Sequence, residues 1–142
     1  MKHVCCSILF LWLGHAMAQK TVDWAKLGEV RFVERIDLSS GYLIEKPRFS
    51  KAIKALEGKT IEISGYILPL SMADDVYVLS RFPYAACFFC GGAGLESVMR
   101  IWFKDRGNSY RMDQYVRLRG VLTLSDSGEG LIYLLEKAEE VR

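Results

Sequence analysis

Two cysteines three residues apart, in Cys87-Phe88-Phe89-Cys90-Gly91-Gly92-Ala93-Gly94, are the residues of this chain best suited to chemistry. Thiolates at this spacing, followed at once by glycine, form the knuckle turn of many zinc and iron–sulfur sites. Glycine lets the backbone reverse tightly and bring N–H groups toward sulfur. On a metal reading, Cys87 and Cys90 are ligands and Glu96 is a third donor, with Asp74 or Asp75 reaching in from a neighbouring loop. Zinc wants four donors, so it would need those carboxylates or a second knuckle from another copy of the chain. Cu(I) accepts fewer and softer ligands, with Met72 or Met99 as helpers.

Two other readings use the same pair. Cys-x-x-Cys is the arrangement of thiol–disulfide exchange proteins, whose attacking thiol (here Cys87) sits at a helix N-terminus that lowers its pKa. Gly91, Gly92 and Gly94 argue against such a helix, and no basic residue adjoins either thiol. The third reading is a structural disulfide, or a reduced pair, pinning a loop rich in aromatic residues: Phe82, Tyr84, Phe88 and Phe89. The same glycines lack the Lys-Ser/Thr of a phosphate loop, so no nucleotide is expected.

The N-terminus narrows the field. Lys2 and His3, the apolar run Val4 to Leu13, and Ala16-Met17-Ala18 read as a secretory signal over residues 1–18, cleaved after Ala18. Of 142 residues, 124 then remain, and His3, His15, Cys5 and Cys6 leave with the signal. The expected product is periplasmic or secreted and has no histidine. Serine triads, Cys-His nucleophiles and His-ligated zinc are thereby excluded. Removing Lys2 from the 19 basic residues leaves 18 against 17 acidic ones, scattered rather than clustered, so nucleic acid is not an expected partner.

The elements that must position the thiols read as mainly β. Val30 to Leu38 and Tyr42 to Glu45 flank a Ser39-Ser40-Gly41 turn and suggest a hairpin ended by Pro47. Ser50 caps a short helix, Lys51 to Leu56, with Ile53 and Leu56 on one face. Alternation then predicts strands over Thr60 to Leu68 (stopped by Pro69), Val76 to Ser80, Ser97 to Phe103, Tyr115 to Leu124 and Leu131 to Leu135. Gly65 and Gly120 interrupt the two longest, where glycine marks a bend, with Val116, Leu118 and Val121 read as inward. Five strands with two kinked ones predict a small OB-like five-stranded antiparallel barrel over 58–142. Residues 19–57 form an N-terminal extension with the hairpin and one short helix.

Trp24 and Leu27, Pro47-Arg48-Phe49, and Leu56-Glu57-Gly58-Lys59 leading to Gly65-Tyr66-Ile67-Leu68-Pro69-Leu70 resemble a family of exported bacterial proteins classed as a domain of unknown function. The resemblance covers most of residues 24–138. It implies an OB-like barrel and, through members encoded beside ABC-type transport genes, an envelope protein or transporter component as partner. Better-known members carry Cys-x-His and prolines where this chain has Cys87-Phe88-Phe89-Cys90 and glycines, so only Cys87 carries over. The combined expectation is an exported, non-enzymatic OB-like binding module whose cysteine loop holds zinc or Cu(I). The alternatives are thiol–disulfide exchange, or partner binding with the loop as scaffold.

Overall fold

The computed structural model describes residues 20–71, 76–128 and 130–141. The expected signal, and Met72, Asp74 and Asp75, lie outside the described residues. The chain runs β1 (Lys20–Thr21), α1 (Trp24–Leu27), β2 (Arg31–Ile36), β3 (Leu43–Arg48), α2 (Lys51–Lys54), β4 (Thr60–Ser71), β5 (Val76–Ser80), β6 (Val98–Phe103), β7 (Gln114–Leu124) and β8 (Tyr133–Glu140). Both helices are single turns with the caps their sequences call for. Asp23 accepts the Lys26 N–H at 2.8 Å, and Ser50 accepts that of Ile53 at 3.2 Å.

Five strands close a barrel in the order β4-β5-β6-β8-β7, with β7 pairing back onto β4. The expected small five-stranded barrel is present, but it is mixed where an antiparallel one was expected. A closed ring of five strands cannot alternate direction all the way round, so one neighbouring pair must be parallel. That pair is β6 and β8. It arises because β7 skips a place to close on β4, and β8 turns back into the gap. The long β4 bends so that its first half pairs with β1 and its second with β5, while β7 runs along most of its other edge.

Alternation places Ile61, Ile63 and Ile67 of β4 inside with Leu79, Met99, Ile101, Val116 and Leu118. Trp24, Leu27, Ile53 and Leu56 from the extension join the same core. Two hydrogen bonds tie α1 to the barrel: Trp24 Nε1 donates to the Ser64 carbonyl at 2.8 Å, and the buried Tyr133 hydroxyl donates to the Leu27 carbonyl at 2.6 Å. Tyr133→Phe keeps the ring but strands that carbonyl, and should cost about 1–2 kcal/mol in a denaturant titration.

Several sequence expectations are corrected. Pro69 lies inside β4, which absorbs it with a register shift between Pro69 and Ser71. Pro47 lies inside β3, buried opposite Phe32, where the two-stranded sheet has a free edge that needs no N–H. In β7 the inward residue after Gly120 is Leu122 rather than Val121, because the strand keeps its period of two straight through the glycine. The extra residue sits instead in β8, where Lys137 takes φ 52° and the register slips against both β6 and β7. That bulge lets β8 run on to Glu140, well past Leu135.

Two buried phenols make stability depend on alkaline pH. Burial first, then the Glu140 carboxylate, pushes Tyr110 up to about 12. Burial and, secondarily, the charge of Glu96 push Tyr133 higher still. Unfolded, both titrate near the ordinary value of about 10. Above that pH the unfolded chain releases protons that the folded chain retains, so stability is full below pH ~10 and falls as pH rises toward ~12. Urea titrations at about pH 9 and about pH 11.5 should show this drop, with a shallower slope in Tyr133→Phe.

Candidate functional site

The cysteine loop, residues 81–97, joins β5 to β6 and folds back over the outside of the barrel. Three single turns of 3-10 helix build it: Tyr84–Ala86, Phe88–Cys90 and Leu95–Ser97. The loop is closed at its root by Arg81 N–H to the Ser97 carbonyl at 2.9 Å. Tyr84 N–H to the Asp113 carboxylate at 2.7 Å pins it laterally. Between the thiols, the Cys90 N–H donates to the Cys87 carbonyl at 3.2 Å, a turn that keeps their Cα atoms within about 7 Å. Gly91 takes φ 73°, as a left-handed turn residue should.

The two thiols are both free but live in different surroundings. Cys87 is fully buried among Leu68, Val78 and Val98, the outward-facing residues of β4, β5 and β6. Cys90 is exposed. The glycine N–H groups are committed to oxygen: Gly91 donates to Phe88 and Gly92 to Cys87, at 2.9 and 3.1 Å. Glu96 sits half-buried on the turn that packs against α1, its carboxylate beside Gly94 and its charge felt by Tyr133. Among the described residues no three Cys, His, Asp or Glu side chains converge on one point, so Cys87, Cys90 and Glu96 do not form one donor set.

Exposure predicts reactivity. In the chain from Lys20 onward, Cys90 should react with a soluble aromatic disulfide at once. Cys87 should react roughly ten-fold or more slowly, because it must wait for the loop to open. Two thiols of equal rate would contradict the burial of Cys87.

Beyond the loop the barrel face is bare, and a groove of about 350 Å³ runs along it. Register explains its lining. Leu68, Val78, Arg100 and Leu134 lie side by side across four strands, all pointing outward. The loop roofs the Leu68–Val78 end of this row through Cys87 and leaves the Arg100–Leu134 end open. Leu70, Val76 and Trp102 form the next row, and Phe89 hangs over the edge from the loop. Trp102 is 46 % exposed, and the Arg100 guanidinium lies 5.5 Å from its ring centre. A signal for this surface is present in the sequence: Trp102 alternates with the core residues Met99 and Ile101 and so falls on the non-core side of its strand. The face belongs to the second and third barrel strands and is flanked by the β7–β8 connection at Ser125, Gly130 and Leu131. OB-like barrels commonly hold ligands there.

The architecture thus defines a mainly β protein built on a closed, mixed five-stranded barrel. No protein-family model matches the chain, and no curated protein matches it in sequence. Among solved structures it is similar to the crystal structure of a DUF3299 family protein from Pseudomonas aeruginosa, with a TM-score of 0.54 and 15% identity. The match covers 88% of this chain and 97% of that one. The likeness is one of fold, to a protein of a domain-of-unknown-function family.

Proposed function

We propose that this chain is an exported, non-enzymatic OB-like binding module, and that an extended segment of an envelope protein lies in the groove over β5 and β6. The observation that carries this reading is the exposed pairing of Trp102 with Arg100 beside Leu70 and Phe89, on an otherwise apolar strip. Trp and Arg are the residue types that most often anchor protein interfaces. A single guanidinium on the strip suits a peptide better than a polyphosphate chain, which needs several cations. In this account the cysteine loop is a wall, and Phe89 its contact residue. A partner of the transport type is what the family resemblance implies. The test is capture of an envelope partner by the parent, lost in Phe89→Ser and in Trp102→Ser while far-UV circular dichroism is unchanged. Retained capture in both variants removes the groove from the account.

A second reading keeps the thiols as ligands. The turn between Cys87 and Cys90 holds the two sulfurs on one short segment, and two thiolates suffice for Cu(I). Zinc would need further donors, from a second copy of the chain or from outside the described residues. Native and denatured mass spectrometry of protein purified under reducing conditions separates bound metal, disulfide and free thiols. No stoichiometric metal, together with no change in Cys87→Ser, would sink this second reading.

A further inference from the structure

The β2–β3 hairpin stands outside the barrel sheet and sorts its charges by face. Pairing sets Arg31 opposite Arg48, Val33 opposite Lys46 and Arg35 opposite Ile44, so one face is basic. The other carries Phe32 with Pro47, Glu34 with Glu45, and Ile36 with Leu43. Phe32 and Pro47 root the hairpin against the core. Among the described residues none of the basic face's four cations has an ion pair, and like charges directly opposite, as at Arg31 and Arg48, work against the hairpin. Lys54 of α2 faces Arg35, Lys46 and Arg48 across a cleft of about 430 Å³ in which, among the described residues, Asp126 is the one carboxylate.

The free end of the same hairpin is apolar. Leu38 is 95% exposed and Tyr42 74%, with Ile36 and Leu43 beside them. The tip that presents them is stiff. The Asp37 carboxylate accepts the Ser39 N–H and both serine hydroxyls, the Gly41 N–H donates to the Asp37 carbonyl at 2.7 Å, and Gly41 takes φ 74°. A rigid turn holding large apolar side chains in water adds nothing to the core. With Tyr42 on the basic side and Ile36 and Leu43 on the side of Glu34 and Glu45, the tip has the form of a surface-seeking element that caps both faces.

We infer that this hairpin docks on an anionic lipid surface, its apolar tip entering the headgroup layer while Arg31, Arg35 and Arg48 meet lipid phosphates. Asp37 stays ionised at neutral pH, because the hydroxyls of Ser40 and Ser39 hold its carboxyl down at about 2. A fixed negative charge at the tip sets the depth: the headgroup layer and not the hydrocarbon. Glu34 and Glu45 lie on the opposite face, away from the phosphates. Lipid fits better than an acidic protein segment because the exposed Tyr42, which the Asp37 N–H pairs across the turn, continues the face of Arg35 into the apolar tip at Leu38.

The test is vesicle sedimentation with the chain from Lys20, which carries every described element and lacks the apolar leader. Binding is expected to phosphatidylcholine vesicles containing phosphatidylglycerol, not to phosphatidylcholine alone, and should weaken as salt rises. Each cation near the surface is worth roughly a five-fold change, so Arg35→Ala with Arg48→Ala should weaken binding about 25-fold. Leu38→Ser with Leu43→Ser should weaken it by about ten-fold or more. Trp102→Ser should bind vesicles like the parent, which separates this inference from the groove reading. No binding to anionic vesicles, equal binding to both lipids, or parent-like binding by both double variants would overturn it. So would a polyglutamate peptide that binds the basic face when vesicles do not, since that result assigns the face to an acidic protein.

Discussion

Gly65→Val is expected to destabilise the protein by about 3 kcal/mol or more, lowering the thermal midpoint on the order of 10 °C. A Cβ at residue 65 would stand 2.5 Å from the Ser80 carbonyl oxygen and 3.1 Å from the Leu79 side chain. The carbonyl is backbone, and it belongs to the strand from which the cysteine loop departs, so it cannot yield without disturbing the β4–β5 pairing. Gly120→Val should behave alike, because its Cβ would meet the Glu136 carbonyl and the Leu135 side chain, each at 2.8 Å, at the β8 bulge. Gly58→Ala is the contrast. Gly58 has φ 69° and open space around it, so the cost is conformational strain alone, about 1 kcal/mol. Differential scanning calorimetry of the three variants would rank them. A Gly65→Val protein as stable as Gly58→Ala would mean that β4 does not bend as described.

The second large effect concerns binding. Trp102→Ala and Phe89→Ala should each weaken an envelope partner by about 30-fold, near 2 kcal/mol apiece, without a comparable loss of stability. Both side chains are exposed at the groove edge, so truncation leaves no core cavity and should cost the fold within about 0.5 kcal/mol. Arg100→Ala should have a smaller effect, since its charge orients the partner while the rings supply the buried area. Titration calorimetry against the captured partner, beside urea titrations of the same variants, separates the two quantities. A binding loss matched by a stability loss would point to misfolding instead of a contact surface.

Much of the barrel was legible because period-two alternation survives both glycines: Ile61, Ile63, Met99, Ile101, Val116 and Leu118 are all core residues. What escaped depends on distant pairing. The parallel β6–β8 contact follows from ring closure, which no local pattern encodes. The bulge lies in β8 at Lys137, opposite the glycine that advertised it, because Gly120 supplies room and its partner supplies the extra residue. The thiols looked equivalent in sequence. They differ because Leu68, Val78 and Val98 form an apolar patch on the outer face that Cys87 completes. A signal was present: Ile67-Leu68, Tyr77-Val78-Leu79 and Val98-Met99 are apolar at consecutive positions, which marks strands covered on both faces. The basic face of the hairpin was unreadable until register set Arg31 against Arg48.

The proposed partner site is the outer face of β5 and β6, walled by the cysteine loop. Site-specific photo-cross-linking in the producing cell tests it most directly, with the probe placed in turn at Phe89, at Trp102 and at Arg117 of β7, an exposed position on another face of the barrel. One shared adduct is expected from Phe89 and Trp102, with an envelope protein as the captured chain, and no such adduct from Arg117. The same adduct from all three positions, or one from Arg117 alone, would contradict it.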